Sequence, residues 1–143
     1  MRVFIDSGGF LAVMDRDDQF HPAARDIAAR LDANAAPLYT SNYIVDEACT
    51  LIRARTNHAM AAKFLRFLKA SRITILRVTP SIEAEAERIF LRYTDKDFSF
   101  TDCTSFALIG ARRLDAVLAF DRHFVQYRFR RHVTNLTSPD DVG

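Results

Sequence analysis

Short runs of β-branched and aromatic residues alternate along this chain with longer segments in which apolar residues recur every three or four positions. The runs at 1–5, 37–41, 73–78, 116–120 and 133–136 have the length and composition of buried strands. Because they alternate with helical patterns, they indicate a mostly parallel sheet covered by helices on both faces. We therefore predict an α/β fold of three α/β/α layers around a central sheet of four to five strands.

Length and composition are those of one globular domain. The chain has 143 residues, within the usual size of a single domain. We place that domain at 1–138 and expect 139–143 to be a flexible tail. No apolar run approaches the roughly 18 residues of a membrane span, and Asp6 interrupts the first apolar run, so we expect neither a membrane segment nor a signal peptide. Two cysteines are too few for a disulfide framework, which favours reduced thiols and a cytoplasmic location.

The net charge of +2 is unevenly distributed. Residues 53–77 contain seven basic residues and no acidic one, and a second basic cluster lies between 112 and 131. Such blocks are compatible with binding a polyanion on one face. They are equally compatible with solvated helix surfaces, and charge alone does not separate the two interpretations.

The clearest amphipathic helix is predicted at 57–70. Its apolar positions form one stripe, and its basic residues lie largely on the opposite face. The stripe comprises Met60, Phe64, Phe67 and Leu68. Part of it is expected to be ordinary core, and the rest is a candidate groove for a partner helix, a common mode of recognition.

Four carboxylates are predicted to meet at one edge of the sheet. Asp6 and Asp121 directly follow the first and fourth strands. Glu47 lies early in the helix after the second strand, and a later helix begins at Thr101 or Asp102. Ligands of open parallel sheets bind beyond the carboxyl ends of the strands, which is where these four acids converge.

Each of these acids alone could be a helix cap or a solvated surface residue. Together they would repel one another unless a cation lay between them. Oxygen ligands without a matching His or Cys pattern favour Mg²⁺ or Mn²⁺ over Zn²⁺. A carboxylate-held ion that leaves room for water and phosphate is typical of metal-assisted phosphodiester hydrolysis.

Four segments of the chain resemble the ordered motifs of a known family. They are Val-Phe-Ile-Asp-Ser at 3–7, Asn-Tyr-Ile-Val-Asp-Glu-Ala at 42–48, Phe-Ser-Phe-Thr-Asp-Cys-Thr-Ser-Phe-Ala at 98–107 and Leu-Ala-Phe-Asp-Arg-His-Phe at 118–124. The set is similar to the motifs of PIN-domain ribonucleases, and most similar to VapC-like toxins of prokaryotic type II toxin–antitoxin systems. The resemblance implies a PIN fold, Mg²⁺- or Mn²⁺-dependent endoribonuclease activity on RNA, a homodimer and inhibition by a cognate antitoxin.

The resemblance also implies roles for particular residues. The four acids match the family's metal-binding positions, and Ser7 and Thr101 match its supporting polar residues. The chain departs from the common pattern at Gly8-Gly9 and at Ala119, where a Thr is usual. Independently of the resemblance, Arg122 and His123 are candidate contacts for RNA phosphate, with a structural turn as the alternative.

Three other functions are compatible with parts of the pattern. The first is a catalytically silent PIN-type module that binds RNA or protein. The second is a haloacid-dehalogenase-type phosphatase, but this chemistry needs a second Asp two residues after the first, where the chain has Gly8. The third is a receiver domain, which needs adjacent acids at the first strand end and a Lys after the last strand, and no Lys follows Lys96.

Overall fold

A computed structural model describes residues 1–143 as five strands, seven α-helices and one 3-10 helix. The strands are β1 (Val3–Ile5), β2 (Leu38–Ser41), β3 (Thr74–Leu76), β4 (Ala116–Leu118) and β5 (Thr134–Leu136). The helices are α1 (Ser7–Met14), α2 (His21–Ala33), α3 (Asn42–Arg55), α4 (His58–Ala70), α5 (Pro80–Arg92), α6 (Phe100–Arg112) and α7 (His123–Gln126), followed by the 3-10 helix Pro139–Val142. None of these helices combines the length and apolar character needed to cross a bilayer.

The five strands form one all-parallel sheet in the order β3-β2-β1-β4-β5. β1 is central, and its residue Phe4 pairs with Tyr39 of β2 on one side and Val117 of β4 on the other. All three residues of β1 are buried, as expected for a strand covered on both faces. The predicted fold class is therefore confirmed, and the ends of β1 and β4 lie side by side at one edge.

Gly9 explains one departure from the common motif pattern. A Cβ built on Gly9 would lie 2.7 Å from the carbonyl oxygen of Leu118 and 3.0 Å from the Cγ of Leu118. A Cβ on Gly8 would instead meet only the Oδ2 of Asp6, at 3.8 Å. Glycine at position 9 thus lets α1 pack directly on the end of β4, which brings the two strand-end acids close together.

The start of α6 differs from the prediction. The N-cap is Ser99, so the helix begins at Phe100 rather than being capped by Thr101 or Asp102. The Oγ of Ser99 accepts the Asp102 backbone N–H at 2.9 Å, and the Oδ2 of Asp102 accepts the Ser99 backbone N–H at 3.0 Å. This reciprocal capping box holds the Asp102 side chain against the helix end.

The structure also differs from the predictions for the apolar stripe of α4 and for the C-terminal residues. Phe64 and Leu68 are buried in the core, and the Phe64 ring packs edge-on against Phe10 with centroids 5.0 Å apart. These two residues therefore cannot line a surface groove, whereas Phe67 is 47% exposed. Residues 139–143, expected to be a flexible tail, instead form a 3-10 helix that buries Val142 against the core.

Candidate metal centre

Asp6 lies at the centre of the strand-end cluster. It follows β1, is only 2% exposed and occupies the N-cap position of α1 without making a side-chain cap. Its Oδ1 is buried and has no hydrogen-bond partner. Burial, followed by the charges of Asp121, Asp102 and Glu47, raises the pKa of Asp6 well above its ordinary value. The charges of the other three predicted acids therefore reach Asp6, whereas the compact group of ligand atoms contains only Asp102 and Asp121 of the four, together with His123.

Asp102 is also buried, in the first turn of α6. Burial raises the pKa of this carboxyl even though hydrogen bonds from Ser99 and the proximity of His123 oppose the shift. No hydrogen bond engages the Oδ1 of Asp102, since the capping box uses Oδ2. One oxygen is thus held by the helix end while the other is free for a ligand.

Glu47 is held in place by one of the predicted supporting residues. It lies on α3, and its Oε1 accepts a hydrogen bond from the buried Ser7 hydroxyl at the start of α1. Thr101 and Glu47 line the same open depression of about 580 Å³ between α3 and α6. Ser7 therefore orients an acid, while Thr101 forms part of the adjoining surface.

Asp121 and His123 complete the cluster from the β4–α7 connection. The Oδ1 of Asp121 accepts the backbone N–H of His123 at 2.9 Å. The His123 Nδ1 lies 2.6 Å from the Oδ2 of Asp102 and 3.7 Å from the Oδ1 of Asp121. The imidazole packs edge-on against the ring of Phe98, with centroids 5.7 Å apart. His123 therefore contacts the carboxylates, whereas Arg122 is exposed beside them.

The residues present fit a divalent cation. Asp102, Asp121 and His123 each offer a ligand atom, and these atoms lie within 4.8 Å of one another. The unpartnered Oδ1 of buried Asp6 is the strongest single indication, because a buried carboxylate is unfavourable unless a positive charge or a donor satisfies it. The carboxylate oxygens of this group suit Mg²⁺, Mn²⁺ or Ca²⁺, whereas His123 offers a nitrogen donor.

Two features of this centre were not predicted from the sequence motifs. The capping role of Ser99 was detectable in principle, because Ser-x-x-Asp before an apolar run is the signature of a capping box. The contact between His123 and Asp102 had no local signal, since 21 positions of chain separate them. Neighbouring Cys103 is fully buried, and burial together with Asp102 raises the pKa of its thiol to about 11, so it stays protonated at neutral pH.

Residues 3–130 match the family model of the PIN domain. The chain belongs to the PIN-domain family. It is 28% identical over 123 residues to the 23S rRNA-specific endonuclease VapC20 of Mycobacterium tuberculosis, covering 85% of this chain and 91% of that relative. The family predicted from the four motifs is thus confirmed, and the predicted nuclease activity agrees with the activity of this relative.

Solved structures give the same result. The crystal structure of VapC20 from M. tuberculosis, described as a toxin that cleaves the sarcin-ricin loop, superposes with a TM-score of 0.80 at 27% identity, covering 89% of this chain and 95% of that one. VapBC2 of Rickettsia felis, bound to promoter DNA, matches with a TM-score of 0.70 at 11% identity, covering 94% and 98%. DNA-bound VapBC of Salmonella typhimurium matches with a TM-score of 0.68 at 13% identity, covering 95% of this chain and 98% of that one. The last two likenesses support the PIN fold alone.

Proposed function

We propose that this protein is a metal-dependent endoribonuclease and the toxin of a toxin–antitoxin pair. The observation that carries the proposal is the buried, unpartnered Oδ1 of Asp6, in a carboxyl group whose pKa is raised by burial and by the charges of three further acids. A structural role does not account for four acids at this edge, because their mutual repulsion destabilises the protein unless a cation is present.

The ligands of the ion are proposed to be Asp6, Glu47, Asp102 and Asp121. The chemistry that a divalent ion supplies in such a site is activation of water and stabilisation of the leaving oxygen. The chain's own contribution is to fix the carboxylates in advance: Ser7 holds Glu47, Ser99 holds Asp102, and the α7 N-terminus holds Asp121. We propose Mg²⁺ or Mn²⁺ as the ion, because the site combines carboxylates with open, solvent-facing space.

The proposed substrate is ribosomal RNA and the proposed regulator is a cognate antitoxin. The substrate proposal is supported by the similarity to a 23S rRNA-specific endonuclease over most of both chains. The regulator proposal is supported by the likeness to VapC20, whose crystal structure is described as that of a toxin. Arg122 is exposed beside the carboxylates and is proposed to contact an RNA phosphate. His123, the next residue in the chain, is proposed as a second contact for RNA phosphate.

We also propose a homodimer in the cytoplasm. Phe90, Leu91 and Phe100 are exposed on neighbouring surfaces of α5 and α6, and the rings of Phe90 and Phe100 are 6.3 Å apart. An exposed apolar patch of this kind is characteristic of an interface. The cytoplasmic location is supported by the two free cysteines, which remain reduced in that compartment.

Cleavage of purified 23S rRNA tests the proposed function. The wild-type protein is expected to cleave it with Mg²⁺ or Mn²⁺ and to stop when EDTA is added. Asp6→Asn and Asp102→Asn are each expected to reduce cleavage by at least about a hundredfold, because each removes a charged ligand. Asp26→Asn, which removes an exposed charge on α2, is the matched control and is expected to cleave normally.

Two outcomes would contradict the proposal. Undiminished cleavage by Asp6→Asn, at matched purity, would show that the acid cluster is not the active site. Binding of RNA by the wild-type protein without any metal-stimulated cleavage would instead favour a catalytically silent PIN module.

A further inference from the structure

A second concave surface lies on the part of α6 remote from Asp102. It is a groove of about 580 Å³ bounded by α5, the C-terminal half of α6 and the segment 127–133. Its floor is apolar and includes Phe106, Ile109 and Phe129. The arginines around it are Arg88, Arg113, Arg130 and Arg131. We call it the arginine-rimmed groove; it contains none of the four acids of the metal centre.

Gly110 lines this groove without a structural need for glycine. It lies inside α6, is exposed, and a Cβ built on it would meet no atom within 4 Å. Alanine is favoured over glycine within a helix because glycine loses more backbone entropy on folding. The bare backbone at Gly110 therefore leaves space for something outside this chain to approach closely.

Arg113, at the same groove, occupies a position where glycine is usually preferred. It adopts the left-handed conformation, with φ of 53°, directly after α6. The Arg113 N–H bonds to the Gly110 carbonyl and the Leu114 N–H to the Ile109 carbonyl, which is the hydrogen-bond pattern of a Schellman motif. Glycine is usual at this position. Here an arginine occupies it, and its side chain forms no ion pair or hydrogen bond within the chain.

The two positions together indicate a function for the groove. At Gly110 the chain has glycine where alanine would be more stable, and at Arg113 it has arginine where glycine would be less strained. Residues that depart from local preference without compensation inside the fold tend to mark functional surfaces.

The charges of the groove favour RNA as its occupant. Arg88 is paired with Glu85 and Arg131 lies near Asp115, but Arg113 and Arg130 are free. The segment that carries Arg130 and Arg131 begins directly after Asp121 and α7, so it leads from the metal centre to the groove. Gly110 is eight residues from Asp102, or roughly 12 Å along the helix, a separation that a few nucleotides can span. The free arginines suit phosphates, and their guanidinium planes can stack on splayed bases.

We propose that the arginine-rimmed groove is a second RNA-binding site, which holds nucleotides outside the cleavage position with backbone approach over Gly110 and phosphate contact from Arg113 and Arg130. This inference rests on the proposed function, because it extends the same RNA substrate to a second surface.

The test combines RNA affinity with thermal stability. Gly110→Ala and Arg113→Gly are each expected to raise Tm by about 2–4 °C, because each restores the locally preferred residue. Both are nevertheless expected to raise the Kd for purified 23S rRNA about fivefold or more, measured by filter binding in EDTA so that no hydrolysis occurs. With Mg²⁺ present, KM is expected to rise while kcat is unchanged, since the metal centre is intact.

Ala35→Gly is the matched control for backbone strain. Ala35 has φ of 51° after α2, and the Ala35 and Ala36 N–H groups bond to Asp32 and Leu31 in the same pattern as at Arg113. It lies outside the groove, so this variant is expected to gain the same stability without losing RNA affinity. Arg25→Ala, which removes an exposed charge on α2 outside both basic clusters, controls for loss of positive charge alone.

Each result decides the proposal. Stabilised Gly110→Ala and Arg113→Gly proteins with wild-type RNA affinity would overturn it, as would an equal loss of affinity in Arg25→Ala. Weakened binding of the antitoxin in both groove variants, with RNA affinity intact, would assign the groove to a protein partner and overturn the RNA proposal. If the wild-type protein neither binds nor cleaves RNA, the proposed function itself fails.

Discussion

At the residue scale, Asp6 shows how an acidic cluster lowers the stability of the metal-free protein. Its carboxylate is removed from water, and Oδ1 receives no hydrogen bond in return. Such a group destabilises the metal-free protein, because an ionised carboxylate needs a partner when buried. The same feature is expected to give the site affinity for a cation, whose charge would offset the repulsion between the carboxylates.

The metal-free protein is expected to lose stability as pH rises. The folded-state pKa values of Asp6 and Asp102 are raised, so ionising them in the folded protein is harder than in the unfolded chain. The destabilisation therefore begins above the unfolded value of about 4 and is complete above the folded pKa values. The pKa of Asp141 is lowered, so its ionised form stabilises the folded protein, and this stabilisation is lost only as the pH falls below about 4. Thermal unfolding in EDTA between pH 5 and pH 8 measures this trend.

A divalent cation is expected to reverse that loss. Excess Mn²⁺ at neutral pH should stabilise the wild-type protein by about 2.7 kcal/mol at a hundredfold excess over Kd. Asp6→Asn is expected to be more stable than wild type in EDTA and to gain little from Mn²⁺, since it relieves the repulsion and removes a ligand. Equal stability of both proteins in EDTA, with no gain from Mn²⁺ in wild type, would show that the acids do not form one cluster.

At the scale of elements, the contact between α1 and β4 depends on Gly9. Gly9→Ala is expected to destabilise the fold by about 1–3 kcal/mol, because its Cβ would lie 2.7 Å from a backbone oxygen and force the helix outward. Gly8→Ala is the matched control, since its nearest contact of 3.8 Å is ordinary. Chemical denaturation of both variants measures the difference. A Gly8→Ala protein as unstable as Gly9→Ala would contradict this account.

The two phenylalanines of α4 are expected to behave differently. Phe64→Asp places a charge in the core beside Phe10 and is expected to prevent folding. Phe67→Asp is expected to fold and to lose about 1 kcal/mol of stability, because about half of this residue is exposed and only the buried half is lost from the apolar environment. Circular dichroism distinguishes them, and antitoxin affinity of the folded Phe67→Asp protein then tests whether this part of α4 contacts the partner. Wild-type affinity would exclude Phe67 from that interface.

At the scale of the whole molecule, the exposed patch on α5 and α6 is the proposed dimer interface. Leu91 is 66% exposed within it. Leu91→Glu is expected to convert the dimer to a monomer while leaving the fold intact, because it places a charge in an apolar interface. Val125→Glu, on α7 and 68% exposed, is the control and should remain dimeric. Sedimentation velocity measures both; a dimeric Leu91→Glu protein would place the interface elsewhere.

The local pattern of apolar and polar residues was enough to predict much of this protein's fold. Hydrophobic periodicity predicts a strand or helix from a few neighbouring residues, and its alternation is enough to predict a parallel α/β sheet. Asp6 and Asp121 were found in the same way, because residues after parallel strands share one edge whatever the strand order. The fold and the place of the candidate site were thus readable from residues such as Asp6, which follows β1 directly, and Asp121, which comes three residues after the end of β4.

Contacts between distant segments were decided only by the tertiary structure. Nothing near Phe64 or Phe67 in sequence indicates which of them packs on Phe10, since both lie on one apolar stripe. The contact of His123 with Asp102, and the burial of Val142, likewise depend on how elements far apart in the chain dock. Periodicity reports the environment of a face averaged over neighbouring positions, whereas exposure and pairing of one side chain depend on the shape of whatever packs against it.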